Sequence, residues 1–188
     1  MRRLESGEVT EIYERHMVRD FPKSELKPLA LILEKMEEGL YLPYGLLDGQ
    51  ERIGYAFFGR GRNTGYLLLD YLAVFPQFRS GGYGTRLLPV LASYVEEGGY
   101  DGIVGEVEDP AFFQSEEDRQ IKERRLQFYL RDRFEQTDIA CQMFGTEMLI
   151  LKLDFKNADT DEVYRCFEDL YQANYTEAQR RHVRLRKL

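Results

Sequence analysis

The sequence is poor in the residues that bind metals or act as nucleophiles. It has two cysteines, two histidines and no tryptophan in 188 residues. Cys141 and Cys166 show no metal-ligand spacing, and His16 and His182 are the only histidines that could join them. This scarcity argues against a zinc site and against a Ser/His/Asp triad. We expect a reduced protein that requires no metal.

Long apolar stretches are also missing. No run is long enough to cross a bilayer, and Met1-Arg2-Arg3 is followed by Glu and Gly rather than by the apolar core of a signal peptide. We therefore expect a cytoplasmic protein with no membrane partner. The net charge of −7 argues against general nucleic-acid binding and slightly favours cationic substrates such as amines.

The remaining composition is sufficient for one folded unit. The length falls within the usual range for a single domain, about 100–200 residues, and 43% of the residues are hydrophobic. We expect one domain over residues 1–188, with a core at about 9–155 and a C-terminal helical extension at 156–188. The basic stretch 176–188 is interpreted as a solvent-exposed helix end, with an acidic partner as the alternative.

The chain is organised around residues 66–97, where a strand is followed by a glycine-rich turn and a helix. Residues 66–74 are mostly apolar, which indicates a buried strand. After Arg79-Ser80-Gly81-Gly82-Tyr83-Gly84, apolar residues recur at helical spacing from Leu87 to Val95. The first amides of a helix have no internal acceptor, and glycines let a ligand approach the backbone. The turn is therefore a candidate phosphate site.

Three known phosphate-binding turns can be compared with this one. A P-loop requires Gly-Lys-Ser/Thr, but Gly84 is followed by Thr85-Arg86. A dinucleotide fingerprint requires a third glycine, where Leu87 stands. The pattern Gln/Arg-x-x-Gly-x-Gly/Ala is matched in full by Arg79-x-x-Gly82-x-Gly84. That pattern is the pyrophosphate loop of the GNAT N-acetyltransferases, and the chain resembles this superfamily. A glycine-rich turn without a ligand is the alternative.

Two further segments carry the resemblance, which covers about residues 9–153. Leu72-Ala73-Val74 is similar to the end of the family's fourth strand, and the run from Arg124 to Tyr129 is similar to its Arg-Arg-apolar-x-Phe-Tyr motif. The sequence departs from the family at Arg133, where glycine is usual, because a non-glycine residue takes a left-handed helix end only at a cost. Pro89, inside a predicted helix, is a second departure.

The order of elements predicts an α+β fold. We expect a GNAT-like mixed, mostly antiparallel central sheet with splayed fourth and fifth strands, flanked by helices. The predicted strands are residues 9–13, 41–47, 52–60, 66–74, 100–107, 140–144 and 148–153. The predicted helices are residues 26–40 with Ser24 as N-cap, a helix from the glycine turn to Gly98, and residues 116–133, 163–171 and 176–188.

The resemblance implies acetyl-CoA as cosubstrate, with its pantetheine arm in the wedge between the splayed strands. Strands that part leave backbone amide and carbonyl groups without partners, and an amide-rich ligand can satisfy them. The implied cofactor-binding residues are Leu72, Ala73, Val74, Arg79, Ser80, Gly81, Gly82, Tyr83, Gly84, Thr85 and Phe128.

The resemblance also implies a general acid. Tyr129 matches the family's tyrosine beside the cofactor sulfur, and a hydrogen-bonded core aromatic is the alternative. Asp70 is a first candidate for the general base, because a charge inside an apolar strand indicates either function or a buried partner. Strand alternation predicts that Asp70 shares a face with Leu68 and Leu72.

Other side chains are candidates near the acceptor. By alternation Glu106 and Glu108 share one face of the fifth strand, and either could act as base directly or through a water. Salt-bridged structural roles are the alternative for both. We take Glu106 with Asp70 as catalytic candidates and assign Glu108 to acceptor binding. His16 precedes the first predicted helix, a segment that borders the acceptor in GNAT proteins, and is a second candidate for acceptor binding.

The sequence thus favours an acetyl-CoA-dependent N-acetyltransferase in which a primary amine of a small molecule or peptide attacks directly. A non-catalytic acyl-CoA-binding module of the same fold is one alternative, and a nucleotide-binding Rossmann-type protein is another. The identity of the acceptor stays open, as does formation of a homodimer.

Gly82→Glu should abolish CoA binding, because both a side chain and a like charge would enter the phosphate site. Titration calorimetry with acetyl-CoA, compared with the unsubstituted protein, measures the effect. Micromolar binding retained by the variant would contradict the placement of the diphosphate at this turn.

Overall fold

The structure is a computed structural model that describes residues 1–23, 25–79 and 81–188, although it does not describe the Thr85 side chain. The strands are β1 Arg2–Arg3, β2 Tyr41–Asp48, β3 Glu51–Arg60, β4 Tyr66–Val74, β5 Gly102–Glu108, β6 Glu135–Met143, β7 Thr146–Asp154 and β8 Val183–Lys187. Within the described residues they form one sheet in the order β1-β2-β3-β4-β5-β7-β6-β8. Only β4 and β5 pair in parallel there. The mixed, mostly antiparallel sheet is therefore confirmed.

Helices cover both faces of this sheet. They are α1 Ser6–Ile12, α2 Val18–Asp20, α3 Leu29–Glu37, α4 Tyr83–Glu97, α5 Glu116–Leu130, α6 Thr160–Asn174 and α7 Glu177–Arg180. Leu67 and Leu69 of β4 pack with the apolar stripe of α4, whereas Leu68 points to the other face and packs against α6. The strand is hydrophobic on both sides because both faces are covered.

The prediction of a strand at residues 9–13 was wrong, because that segment is helical. Val9 and Ile12 are buried at helical spacing in α1, and a wider turn, Tyr13–Met17, continues the helical path and buries Met17. Glu5 and Glu8 form a capping box at the start of α1. The first strand of the sheet is instead the short β1.

The predicted helix over residues 26–40 is shorter at its start. It begins at Leu29, directly after Pro28, whose extended backbone cannot belong to the helix. Leu26 still packs against the cluster that contains Ile32 of α3, so the apolar pattern reflects packing rather than helix length. The proposed N-cap, Ser24, lies outside the described residues.

The C-terminal prediction was wrong over its last part. Thr176 and Gln179 form a capping box, as the pattern predicts, but α7 then ends at Arg180. β8 follows and pairs antiparallel with β6. The partly buried Val183 and Leu185 alternate with exposed arginines, and this period of two is typical of an edge strand. The extension therefore contributes a strand to the sheet as well as helices.

Arg133 closes the turn after α5 in a left-handed conformation. Its φ is +63°, the geometry that glycine supplies in the family's pattern. The guanidinium lies 5.3 Å from the ring centroid of Phe155, and one of its nitrogens lies 3.9 Å from the Glu96 carboxylate. The departure in sequence thus leaves the turn itself in place.

Arg133→Gly should stabilise the protein, because the left-handed backbone costs a non-glycine residue about 1–2 kcal/mol. Glycine's greater freedom in the unfolded chain offsets about 0.5–1 kcal/mol of this stabilisation. We expect a net rise in unfolding free energy of about 0.5–1 kcal/mol, measured by urea denaturation. Arg131→Gly is the matched control, since Arg131 has φ −71° and should lose stability. Equal losses in both variants would contradict the interpretation.

Candidate active site

The central feature of the sheet is a wedge between β4 and β5. The two strands pair only where Tyr66, Leu67 and Leu68 lie beside residues 102–104, and beyond this point they part. A cleft of about 490 Å³ lies between them. The β5-side edge of β4 from Leu69 to Val74 faces this cleft, as the splayed arrangement predicts.

A β-bulge marks the start of the wedge on β4. Phe57 of β3 pairs with Tyr71, but the next residue, Phe58, pairs with Leu69, so Asp70 is an extra residue in the strand. The expectation that Asp70 shares a face with Leu72 was therefore wrong, because the bulge interrupts the alternation. Leu72 packs with the α4 side, whereas Asp70 turns to the side of α3 and α6.

The glycine turn leads from the wedge into α4. Gly82 has φ +72° and no atom near the place where a side chain would begin, so only glycine fits its backbone without strain. Ser80 lies outside the described residues, as does the side chain of Thr85. Gly81 is exposed at the turn, and the Tyr83 hydroxyl donates to Asp48 at 2.9 Å.

Two residues fix the turn to its surroundings. Arg79 Nε donates to the Val74 carbonyl at 2.9 Å, and its guanidinium also forms an ion pair with Asp20. A side chain at Gly84 would begin 3.1 Å from the Phe128 ring, so the missing side chain lets α4 and α5 approach closely. Arg79, Val74, Gly84 and Phe128 all line the cleft.

Tyr129 lines the same cleft from α5. Its ring packs 5.0 Å from Phe128 and 5.4 Å from Phe134, and no side chain among the described residues hydrogen-bonds its hydroxyl. Burial raises the pKa of this phenol to about 12, although nearby Arg125 acts in the opposite direction. The side chain is thus a protonated donor at neutral pH.

The carboxyl groups of Glu106 and Glu108 contact different helices. Glu106 accepts a hydrogen bond from the Tyr171 hydroxyl of α6 at 2.5 Å. Burial raises the pKa of Glu106 to about 7, and the Tyr171 hydrogen bond opposes this effect. Glu108 instead forms an ion pair with Arg125 at 2.6 Å, and Lys122 lies 3.7 Å away.

Asp70 belongs to a buried ion pair with Lys27. The Lys27 ammonium lies 2.6 Å from both carboxylate oxygens, and the two side chains are only 3% and 6% exposed. Tyr41 donates a further hydrogen bond to Asp70, and the Lys27 ammonium lies 3.8 Å from the Tyr175 ring centroid. The Tyr175 hydroxyl is 3.5 Å from the carboxylate. The charge in the apolar strand therefore has a partner.

His16 does not join the other candidates. Its ring packs against Phe75 with centroids 4.2 Å apart, and burial lowers the pKa of the imidazole. His16 is not among the described residues that line the cleft, and the lining residue nearest to His16 in the sequence is Asp20. The position of His16 gives no support for acceptor binding.

Several cleft and floor residues were missed in the sequence. Lys27 lies in a connecting loop with no motif around it, and Glu25 reaches the cleft from the same loop. Tyr171 follows the helical stripe of α6 and is interpreted from its spacing as core. The tip of the β6–β7 hairpin adds an apolar wall, which is formed by Met143, Phe144 and Met148.

Two features are absent from the part of the chain that the structure describes. None of its helices combines the length and hydropathy that a membrane span requires. None of its clusters of His, Cys, Asp and Glu has three members placed to hold a metal ion.

Comparison with known proteins gives one family and a set of similar folds. The family model described as the acetyltransferase (GNAT) family matches residues 5–115. No curated protein matches the sequence.

The solved structures that resemble the chain share its fold at low identity. A protein described as an acetyltransferase of the GNAT family, from Bacteroides thetaiotaomicron, is 22% identical over 91% of this chain and 95% of its own, with a TM-score of 0.73. The ribosomal-protein-S18-alanine N-acetyltransferase of Escherichia coli is 18% identical over 85% and 95%, with a TM-score of 0.55. A Bacillus subtilis acetyltransferase in complex with CoA is 18% identical over 78% and 92%, also at 0.55.

Removing one partner of the Lys27–Asp70 pair should be strongly destabilising, because the other charge would be left buried and unpaired. We expect Lys27→Met and Asp70→Asn each to cost about 3–5 kcal/mol of unfolding free energy, and the double variant to cost less than their sum. Urea denaturation of the four proteins measures the coupling.

The exposed pair Arg181–Glu177, 2.6 Å apart on α7, is the matched control. Arg181→Met should change stability by an amount near zero, because solvent screens an exposed pair. A loss in Lys27→Met no larger than that in Arg181→Met would show that the buried pair is not a structural requirement.

Proposed function

The chain belongs to the GNAT family of acetyltransferases, and we propose that it transfers an acetyl group from acetyl-CoA to a primary amine of a small molecule or peptide. The observation that carries this proposal is the wedge between β4 and β5, which Glu106 and Tyr129 both line. A splayed pair of strands with a candidate base and a candidate acid suits proton transfers around one reacting centre.

The wedge and the glycine turn fit a CoA-type cosubstrate. The edge of β4 from Leu69 to Val74 offers backbone groups without a neighbouring strand, which suit the amides of a pantetheine arm. The open turn at Gly82 and the first amides of α4 suit a diphosphate. The Bacillus subtilis relative with this fold was solved with CoA. When bound, acetyl-CoA supplies the thioester carbonyl that the amine attacks.

Glu106 is our candidate for the base. The amine must lose a proton as its nitrogen bonds to the acetyl carbon, and a carboxylate with a pKa of about 7 is suited to accept it near neutral pH. Among the described residues no cation forms an ion pair with Glu106, whereas Asp70 is paired with Lys27 and Glu108 with Arg125. These pairings favour Glu106 over Asp70 as the base.

Tyr129 is our candidate for the donor to the leaving sulfur. As the carbon–sulfur bond breaks, the sulfur gains negative charge that a phenol hydrogen bond stabilises. A phenol with a pKa of about 12 holds its proton more tightly than a thiol with a pKa near 8.5. We therefore infer that Tyr129 acts mainly as a hydrogen-bond donor in the transition state. The backbone amide near Val74 is the candidate for polarising the carbonyl.

The charges of the cleft favour a cationic acceptor. Arg79, Arg125 and the underlying Lys27 each pair with a cleft carboxylate. Glu25 and Glu106 line the cleft without an ion pair to any described residue. Burial raises the pKa of Glu25, and the neighbouring Glu108 raises it further, so the charged form of Glu25 lacks a compensating cation. A cationic acceptor near Glu25 and Glu106 would stabilise the charged forms of both carboxylates.

Release of free thiol from acetyl-CoA tests the function. A panel of monoamines, diamines and peptides with free amino ends should show acceptor-dependent release, with diamines favoured over monoamines of equal length. Two relatives of the same fold act on amines by their names, namely a Vibrio cholerae spermidine N-acetyltransferase and the ribosomal-protein alanine enzyme. Thiol release that no amine accelerates would contradict acetyl transfer to an amine.

In the same assay, Tyr129→Phe and Glu106→Gln should lower kcat by about 10²-fold or more, because the first removes the hydrogen-bond donor to the leaving sulfur and the second removes the base. Their affinity for CoA, measured by calorimetry, should stay unchanged. Tyr94→Phe is the control, since Tyr94 lies 37% exposed on α4 away from the cleft. Unchanged kcat in both cleft variants would favour a different pair of groups, and complete absence of turnover in the unsubstituted protein would favour a non-catalytic acyl-CoA-binding module.

A further inference from the structure

Tyr171 lies on α6, beyond the segment that the family model matches. Its hydroxyl donates to Oε1 of Glu106 at 2.5 Å, and it lies 3.8 Å from the Cys141 sulfur, a much weaker partner. The Tyr171 hydroxyl therefore donates its hydrogen bond to the Glu106 carboxylate rather than to the Cys141 sulfur. Tyr171 approaches that carboxylate from beneath the cleft, on the side of the sheet opposite α4 and α5.

We propose that Tyr171 is a positioning residue that holds the Glu106 carboxylate in place at the floor of the cleft. This inference rests on the proposed function, in which Glu106 accepts a proton from the acceptor amine. Tyr171 acts through Glu106 and belongs to the floor beneath it.

The tyrosine is itself held in one orientation. Its ring packs edge-to-face against Phe167 at 5.4 Å and against Tyr175 at 5.3 Å, and the side chain is 4% exposed. A ring fixed by two aromatic neighbours delivers its hydroxyl to one point with little loss of rotamer freedom. With one carboxylate oxygen fixed, Glu106 keeps a defined orientation at a position that lines the cleft.

The ionisation of Glu106 depends on several elements that meet beneath the wedge. Burial among them raises the pKa of Glu106, and the charge of Asp70 on β4 raises it further. The Tyr171 hydrogen bond and the Lys27 ammonium lower this pKa. Cys141 of β6, Tyr129 of α5 and Tyr175 directly after α6 also face the carboxylate, and its charge raises the pKa of each. A backbone hydrogen bond within Glu106 also lowers its pKa. Of the two side chains that lower the pKa of Glu106, only Tyr171 hydrogen-bonds to it.

The sign of the expected effect follows from this balance. A general base works in its deprotonated form, so activity rises as pH increases through its pKa. Tyr171→Phe keeps the ring and removes only the hydrogen bond that favours the carboxylate. The acid limb of kcat/KM should therefore move to higher pH, by about one unit. If the pKa that sets this limb rises from about 7 to about 8, the deprotonated fraction of Glu106 at pH 7 falls roughly fivefold.

The test is the pH profile of kcat/KM for Tyr171→Phe with saturating acetyl-CoA and the best amine from the acceptor panel. Tyr164→Phe is the matched control, because Tyr164 lies on the same helix and its hydroxyl only reaches the Leu185 carbonyl at 3.4 Å. We expect a shifted acid limb for Tyr171→Phe, an unshifted one for Tyr164→Phe, and an unchanged KM for acetyl-CoA in both. Coincident profiles for the two variants would overturn the inference.

Two further measurements keep the outcomes separate. Glu106→Gln with undiminished kcat would overturn the role of Glu106 and this inference with it. Inactive Glu106→Gln together with an unshifted Tyr171→Phe profile would overturn the inference alone. NMR titration of carboxyl-labelled glutamate reports the Glu106 pKa directly even if Tyr171→Phe loses stability, and a value equal to that of the unsubstituted protein would equally overturn it.

Discussion

The structure depends on the separation of β4 and β5 inside a covered sheet. Paired strands satisfy each other's backbone groups, whereas parted strands leave amides and carbonyls that need another partner. The parting begins after Leu68, and the adjacent glycine turn presents the first amides of α4 at the same end. One break in strand pairing thus accounts for the cleft and for the backbone donors and acceptors along its β4 edge.

The floor of the cleft is built from segments that are distant in sequence. Lys27 comes from the loop before α3 and Tyr41 from β2, whereas Tyr171 lies on α6 and Tyr175 directly follows that helix. Tyr13 and Tyr71 also hold the main chain of Lys27 through hydrogen bonds to its carbonyl and amide. A buried carboxylate is tolerated only where such partners converge. α6 and the residue after it therefore contribute to the floor of the cleft, although both lie outside the segment that the family model matches.

Local patterns in the sequence were enough to locate the glycine turn and β4. The match at Arg79, Gly82 and Gly84 predicted the strand, turn and helix, and the apolar run predicted β4 to the residue. The failures have a different cause, because they depend on contacts between distant segments. Nothing near Lys27 in sequence indicates that it meets Asp70. From the sequence alone, the arginines of β8 are interpreted as a basic helix end. The segment forms a strand because it pairs with the edge of β6, a partner that its local sequence does not reveal.

The bulge at Asp70 has a consequence for how this strand is aligned with others. Because Leu69 and Tyr71 pair with consecutive residues of β3, the strand without Asp70 would alternate regularly and keep Leu72 on the α4 side. A relative with an unbulged strand therefore corresponds to this one only if a one-residue gap is placed at Asp70. An ungapped alignment continued through that point would assign every later residue of the strand to the opposite side of the sheet.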